Sequence, residues 1–251
     1  MAETQIGYPA GEQPVRRMNL FQRIAGVILS PGKTMEDLIE KPRLIFPLIL
    51  TAVIMLAVYM IRFPLYQDYL RDSTIKSMEY VQSVTGQTIT PDMIEQNISR
   101  GFIQSVILLP VGSLFKWFIT TVIFFAVFKI FGSKGKFKQF FSITGYASVI
   151  AALYLLIVLA ASFFTGSLHV DVPLTSLANL FSPDATGGFL YGIAKGIDIF
   201  YIWNYCVAAI GLAGLSGFRK RNTYILMAVL FAVGLLITGS MTMAQSLITG
   251  G

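Results

Sequence analysis

The chain has 251 residues, of which 55% are hydrophobic and only 13% are charged. A soluble domain carries about 25% charged residues, so this composition leaves too little polar surface to cover a water-soluble globule. The formal net charge is +6. In a membrane protein such an excess of basic residues usually lies in cytosolic loops, where it faces anionic lipid, and it does not indicate binding of nucleic acid.

The N-terminal region divides into two predicted parts. Residues 1–15 are polar and rich in Gly and Pro, which predicts a disordered tail. Residues 16–43 form a predicted cytosolic segment that begins with an amphipathic helix, because Leu20, Ile24 and Val27 recur at helical spacing. Beside these apolar residues lie Arg16, Arg17 and Arg23. The helix either lies on the membrane with its arginines facing lipid headgroups, which we favour, or packs against the protein's own spans.

Five apolar runs follow, and each is long enough to approach the thickness of a bilayer core, which needs about 20 helical residues. Backbone groups in hydrocarbon must hydrogen-bond within the chain, so these runs must be helices. The fold class is therefore predicted to be all-α, a polytopic five-helix membrane domain over residues 44–251. The spans lie at about 44–61, 106–131, 146–164, 193–215 and 224–242.

An outer segment is predicted between the first two spans, over residues 63–104. It contains a stretch of mixed polar and apolar residues, which predicts a helix that ends near Gly86. Thr90, Pro91 and Asp92 are typical of a helix start, with a cap, a proline at the first position and a first-turn acid. We expect two outer helices, the second of which continues into the second span.

The distribution of Lys and Arg predicts the orientation. Six precede the first span, four lie between spans two and three, and three lie between spans four and five, whereas the opposite segments hold four in total. The positive-inside rule places the richer segments in the cytosol. The N-terminus is then cytosolic and the C-terminus outside, in a membrane that we expect to be the bacterial cytoplasmic membrane.

Polar residues within the predicted spans are candidates for function, because such groups are costly in lipid. They are Lys116, Lys195, Asp198 and Asn204. Lys195 and Asp198 are three residues apart and can share a helix face. We expect Lys116 to approach Asp198 while Lys195 reaches outward to water; the alternative pairs Lys195 with Asp198. Structural and transport roles both remain open, and we favour the structural one.

Three glycines repeat at every fourth residue where the fourth span begins: Gly188, Gly192 and Gly196. This spacing lets another helix approach closely. The partner helix belongs either to a second copy of the chain or to the same bundle, and we favour the same bundle.

The sequence shows no catalytic residues, and neither a metal site nor a cofactor is expected. Cys206 is the only cysteine, which excludes cysteine-based metal clusters. A Gly-Leu-Ser-Gly stretch containing Ser216 resembles a serine protease motif, but the only histidine, His169, is predicted to lie on the other side of the membrane. The inner loops are instead expected to face anionic lipid through Lys134, Lys136, Lys138, Arg219, Lys220 and Arg221.

The layout resembles the bacterial form of the Ypt-interacting-protein (Yip) family of five-pass membrane proteins. The features that carry the resemblance are a short basic N-terminal helix, Ser30-Pro31 before the first span, and Gly145-Tyr146-Ala147-Ser148 at the start of the third. Eukaryotic members bind prenylated Rab GTPases, but their Asp-Leu-Tyr-Gly-Pro segment is absent here and Ile150 stands where their pattern has proline. Binding of a Rab-type GTPase is therefore not expected.

Two functions of different classes follow from these observations. The first is a non-enzymatic membrane adaptor that recruits or stabilises another membrane protein, or that self-associates. Bacterial relatives include proteins that resemble accessory factors of membrane transport or stress defence, as the family resemblance implies. The alternative is a small-solute or ion permease that uses the polar groups inside spans two and four.

Overall fold

The described part of the chain is almost entirely α-helical. The computed structural model describes residues 18–86, 88, 90–169, 172–182 and 188–249. The predicted tail, Arg16 and Arg17 lie outside these ranges. Within them the helices are α1 (Leu20–Leu29), α2 (Pro31–Glu40), α3 (Ile45–Ile61), α4 (Phe63–Thr85), α5 (Pro91–Ile130), α6 (Phe137–Ala147), α7 (Val149–Thr165), a 3₁₀ helix (Leu177–Leu180), α8 (Gly188–Gly196), α9 (Ile199–Leu215) and α10 (Lys220–Thr249).

The N-terminal hairpin of α1 and α2 packs on the bundle as part of its main core. Val27 of α1 and Met35 and Leu38 of α2 are fully buried beside residues of α6 and α9. Gly211 of α9 permits this contact, because a Cβ there would lie 2.9 Å from the sulfur of Met35. The amphipathic helix thus buries its apolar stripe against the protein's own helices, which is the alternative that the sequence analysis ranked second. A placement on the membrane surface stays a prediction for its outer face, where Phe21 is exposed.

Two helices, α4 and the first part of α5, cover the segment of residues 63–104 that the sequence analysis expects outside the membrane. The chain bends by 73° between α3 and α4. It then returns along α5, whose 40 residues extend for about 60 Å at 1.5 Å per residue. Thr90 caps α5 through its side chain, Pro91 is the first residue and Asp92 lies in the first turn, as predicted. We call α4 together with residues 91–109 of α5 the outer helix pair.

Three of the five predicted spans coincide with helices that are long and apolar enough to cross a bilayer: Pro110–Ile130, Phe137–Thr165 and Lys220–Ser246. The first predicted span becomes long enough only when α3 and α4 are taken together across their bend, which gives up to four in the described residues. The fourth is divided, since α8 and α9 meet at a break and α9 has only 17 residues. Those residues extend for about 26 Å, less than the core of about 30 Å.

The three repeated glycines bring α8 against α10 of the same chain. A Cβ at Gly192 would lie 2.7 Å from the Cβ of Thr242 and 2.8 Å from the Cα of Gly239, so the two backbones are in contact. Gly188 meets Ser246 and Gly196 meets Leu235 in the same way. The glycines therefore allow α8 and α10 of the same chain to pack closely. This is the interpretation favoured from the sequence, the alternative being a contact between two copies of the chain.

This contact generates a stability prediction. Replacing Gly192 with alanine should destabilise the protein by about 1–3 kcal/mol, because the added methyl group has only backbone and a β-branched side chain to displace. The thermal unfolding midpoint of the detergent-solubilised protein measures the change. The matched control is Gly112→Ala on α5, where a Cβ meets nothing within 4 Å, so this substitution should leave the midpoint unchanged or raise it. Equal effects of the two variants would contradict the proposed backbone contact.

Candidate functional site

The break between α8 and α9 contains a buried carboxylate, Asp198, among apolar helices. Residue Asp198 has an extended backbone, with φ −123° and ψ 138°, and forms an isolated antiparallel bridge with Ser176 of the preceding loop. The Leu177 amide donates to the carbonyl of Ile197 at 2.9 Å, and the Ser176 hydroxyl donates to the carbonyl of Ala194 at 2.9 Å. Loop residues thereby satisfy carbonyls at the end of α8 that have no helical partner.

Asp198 starts the second half of the broken helix. One carboxylate oxygen accepts hydrogen bonds from the amides of Phe200 and Tyr201, at 2.9 and 3.0 Å. The other accepts a hydrogen bond from the hydroxyl of Thr175. An aspartate at the N-cap satisfies free amide groups and favours a helix start at this point. The break was not predicted, because the sequence analysis places Lys195 and Asp198 as polar residues inside one continuous span; the Asp198 side chain, a common N-cap, was the available signal.

The predicted ion pairs of Asp198 are wrong. Among the described residues neither Lys116 nor Lys195 forms an ion pair with it. Lys195 instead places its ammonium group 5.3 Å from the centre of the Tyr191 ring. Lys116 lies on an exposed face of α5. The structure therefore uses the buried carboxylate as a helix cap rather than as a counter-ion, and the two lysines do not converge on it.

Asn204 also has a structural partner. Its side-chain amide donates to the carbonyl of Ala147 at 2.9 Å. Ala147 is the last residue of α6, and the helix is interrupted at Ser148 before α7 begins. An interruption of a helix in hydrocarbon frees carbonyl groups that need donors. Asn204 of α9 supplies one across a separation of 57 residues.

The Gly-Tyr-Ala-Ser stretch belongs to the main hydrophobic core and ends at the helix interruption at Ser148. Tyr146 is fully buried and Ala147 is nearly so. A Cβ at Gly145 would lie 3.1 Å from the Trp117 ring, so the glycine allows the indole to approach. The indole N–H donates to the hydroxyl of Thr144 at 3.1 Å, which ties α5 to α6. The stretch on which the family resemblance rests is thus a packing centre.

A buried arginine joins the bend between α3 and α4 to the loop after α7. Arg62, at the bend between α3 and α4, is buried and donates to the carbonyl of Leu168 in the loop after α7. Its guanidinium also lies 5.8 Å from the centre of the Tyr66 ring. From the sequence, Arg62 is expected only to close the first span and to add one charge on the outer side. An arginine immediately after an apolar run was the available signal, but its partner could not be known.

Arg23 is a correction to the predicted lipid-facing set. Its side chain is 3% exposed and forms an ion pair with Asp37 of α2, at 2.5 Å between Nε and Oδ2. A buried arginine needs a partner because an isolated charge is costly to bury. Arg23 therefore faces the interface of the N-terminal hairpin with the bundle and not the lipid headgroups.

The six basic residues that the sequence analysis expects to face lipid on the inner side are all exposed: Lys134, Lys136, Lys138, Arg219, Lys220 and Arg221. None forms an ion pair with another described residue. Contact of these residues with lipid stays a prediction.

The groups that the sequence analysis tested for catalysis have local partners. The Ser216 hydroxyl is buried, shares a hydrogen bond with Thr223 at 3.1 Å and accepts one from the Phe218 amide at 3.2 Å. A ring nitrogen of His169 lies 2.8 Å from the hydroxyl of Thr165. Across the described ranges no group of three His, Cys, Asp or Glu side chains could hold a metal ion.

The fold and this site define a class: an α-helical integral membrane protein with several apolar spans and a helix break closed by its own loop. The Yip1 domain family matches residues 25–241. That match covers most of the chain, and the protein belongs to this family. Over 210 residues the chain is 28% identical to "Membrane protein YknW" of Bacillus subtilis (strain 168), covering 83% of this chain and 84% of that protein. No solved structure matches.

The buried ion pair generates a second prediction. Arg23→Met should destabilise the protein by about 3–5 kcal/mol, because it leaves the Asp37 carboxylate without its partner near the core. The double variant Arg23→Met/Asp37→Leu should recover most of that loss, since no charge then stays buried. Chemical unfolding in mixed detergent micelles measures both differences.

The control for this prediction is the exposed pair of Arg71 and Glu95, which lie 2.6 Å apart with side chains 54% and 59% exposed. Arg71→Met should cost less than about 1 kcal/mol. If the double variant loses as much free energy of unfolding as the Arg23→Met and Asp37→Leu variants lose together, the two side chains are not coupled and the prediction is wrong.

Proposed function

We propose that this protein is a non-enzymatic membrane adaptor that recruits or stabilises another membrane protein through its outer helix pair. One observation carries the proposal. None of the residues of α4, all of which the structure describes, is buried. A 23-residue helix that the protein's own core does not use is available to a partner.

The exposed face of α4 is apolar near its end. Tyr80 is 54% exposed and Val84 is 67% exposed, with Tyr69 and Val81 on the same side of the helix. Met93 of α5 is exposed at the same tip. Arg71 pairs with Glu95 of α5 and lies on the other side of α4. A patch of apolar side chains outside the spans typically marks a contact with a protein or membrane.

The polar groups that suggested a permease support the adaptor instead. Asp198 caps a helix, Asn204 bonds a backbone carbonyl and Lys195 lies over a tyrosine ring. In transporters with broken helices, the groups freed at the break bind substrate or ions. Here the loop residues Ser176 and Leu177 already donate hydrogen bonds to the carbonyl groups at the break, so those groups are not free to bind a solute.

The proposed arrangement in the membrane has five crossings. The 17-residue helix α3 and the divided α8–α9 segment add two crossings to the three helices that are long enough alone. The Lys and Arg distribution then places the N-terminus and the two basic loops in the cytosol, and the outer helix pair and the C-terminus outside. The cytoplasmic membrane of a bacterium is the setting that fits this arrangement.

Site-specific photocrosslinking tests the adaptor function. A benzophenone amino acid at Val84, in native membranes, should give one adduct with a different integral membrane protein, and Tyr80→Asp should abolish it because a charge disrupts the apolar contact. The matched control carries the same crosslinker at Glu79, which is exposed on another side of α4 and should give no such adduct. Equal adducts from both positions, or an adduct with the mass of two copies of this chain, would overturn the adaptor.

Cysteine labelling tests the orientation. In a Cys206→Ala background, an impermeant thiol reagent should label Asp92→Cys and Gly250→Cys in intact cells, and should reach Lys134→Cys only after lysis. All three expectations follow from the charge bias of the loops. Labelling of Lys134→Cys in intact cells would show that the proposed orientation is wrong.

A further inference from the structure

A cleft of about 540 Å³ lies at the end of the bundle that carries the basic loops. Phe131, just after α5, Phe218 and the first turns of α10 line the cleft. Phe218 stacks on Phe128, with ring centres 5.9 Å apart and planes at 14°. The hydrogen bond between Ser216 and Thr223 fixes the turn that leads into α10.

The lining changes from polar to apolar along α10. Arg219 and Asn222 lie at the loop end, followed by Ile225, Leu226 and Val229. Ile225 is 56% and Val229 is 53% exposed. Both belong to Lys220–Ser246, a stretch long and apolar enough to span the membrane. The apolar part of the cleft therefore opens toward hydrocarbon, and the polar part lies where a membrane-spanning helix meets the headgroups.

The charge at the polar end is uncompensated. Arg219, Lys220 and Arg221 are consecutive and exposed, and none has an ion-pair partner among the described residues. An occupant must therefore combine an anionic group with an apolar chain that enters from the bilayer. We propose that this cleft binds an anionic phospholipid, with its phosphate on Arg219 and Asn222 and one acyl chain along Ile225 and Val229. A volume of this size lies within the range of small-molecule sites.

Lipid titration of the full-length protein in a neutral detergent tests the site, with native mass spectrometry measuring the affinity for phosphatidylglycerol and for phosphatidylcholine. Phosphatidylglycerol should bind more tightly. Arg219→Gln should weaken its binding about fivefold, the loss expected for one basic residue near an anionic headgroup. The matched control is Lys138→Gln, which removes one exposed charge at the same end of the molecule but outside the cleft, and it should change the affinity less than twofold.

Val229→Trp separates the cleft from general surface charge. The indole should fill the apolar channel and remove the preference for phosphatidylglycerol while every basic residue stays in place. A second titration, with inorganic phosphate as the probe, distinguishes a lipid site from a site for free phosphate. The unmodified protein and the variants Arg219→Gln and Lys138→Gln are all expected to bind no phosphate at millimolar concentration.

Three outcomes would overturn the lipid site: equal affinity for the two lipids, equal effects of Arg219→Gln and Lys138→Gln, or unchanged preference in a folded Val229→Trp variant. Tight binding of inorganic phosphate would do the same. The outcome is independent of the adaptor function, because the crosslinking positions on α4 lie outside the cleft, and it is independent of which side of the membrane the loops face.

Discussion

The need to satisfy every backbone polar group within the protein is the constraint on which this structure depends. In hydrocarbon, water cannot hydrogen-bond a freed carbonyl, so any departure from a regular helix needs a donor from elsewhere in the chain. The helix interruption at Ser148 receives one from Asn204, and the break before Asp198 receives donors from Ser176 and Leu177. The irregular parts of the bundle are therefore also the points at which distant segments are joined.

This constraint gives the intramembrane polar residues a physical role. A carboxylate inside an apolar bundle first suggests transport, but Asp198 has three donors: two backbone amides and the Thr175 hydroxyl. Its charge is stabilised by hydrogen bonds rather than by a lysine. Polar groups used in this way hold the fold together and leave the recognition of partners to the surfaces, which is the basis of the adaptor proposal.

Those surfaces differ at the two ends of the molecule. One end has the outer helix pair, with exposed Tyr80 and Val84 at its tip. The other end has two basic loops and a cleft that runs from Arg219 to Val229. The N-terminal hairpin of α1 and α2 is joined to this second end, because Gln139 and Ser142 of α6 donate hydrogen bonds to the backbone carbonyls of Ile39 and Arg43. A protein partner at one end and a lipid at the other would together fix the protein's position in the membrane.

Several features could be predicted from the sequence because they depend on local pattern. Hydropathy located the apolar helices, Thr90 and Pro91 located the start of α5, and the spacing of Gly188, Gly192 and Gly196 identified a close helix contact. The family followed from short motifs, of which Gly145–Ser148 is the clearest.

Only the tertiary structure decided which partner each of these features meets. Arg23 turns inward to Asp37, α8 packs on α10 and Asp198 ends a helix instead of pairing with Lys116. The physical reason is distance along the chain. Hydropathy and helical spacing report on neighbours within a few turns, whereas Ser142 bonds Arg43 across 99 residues and Thr175 bonds Asp198 across 23. Helix faces with similar composition are distinguished only by the surfaces against which they pack.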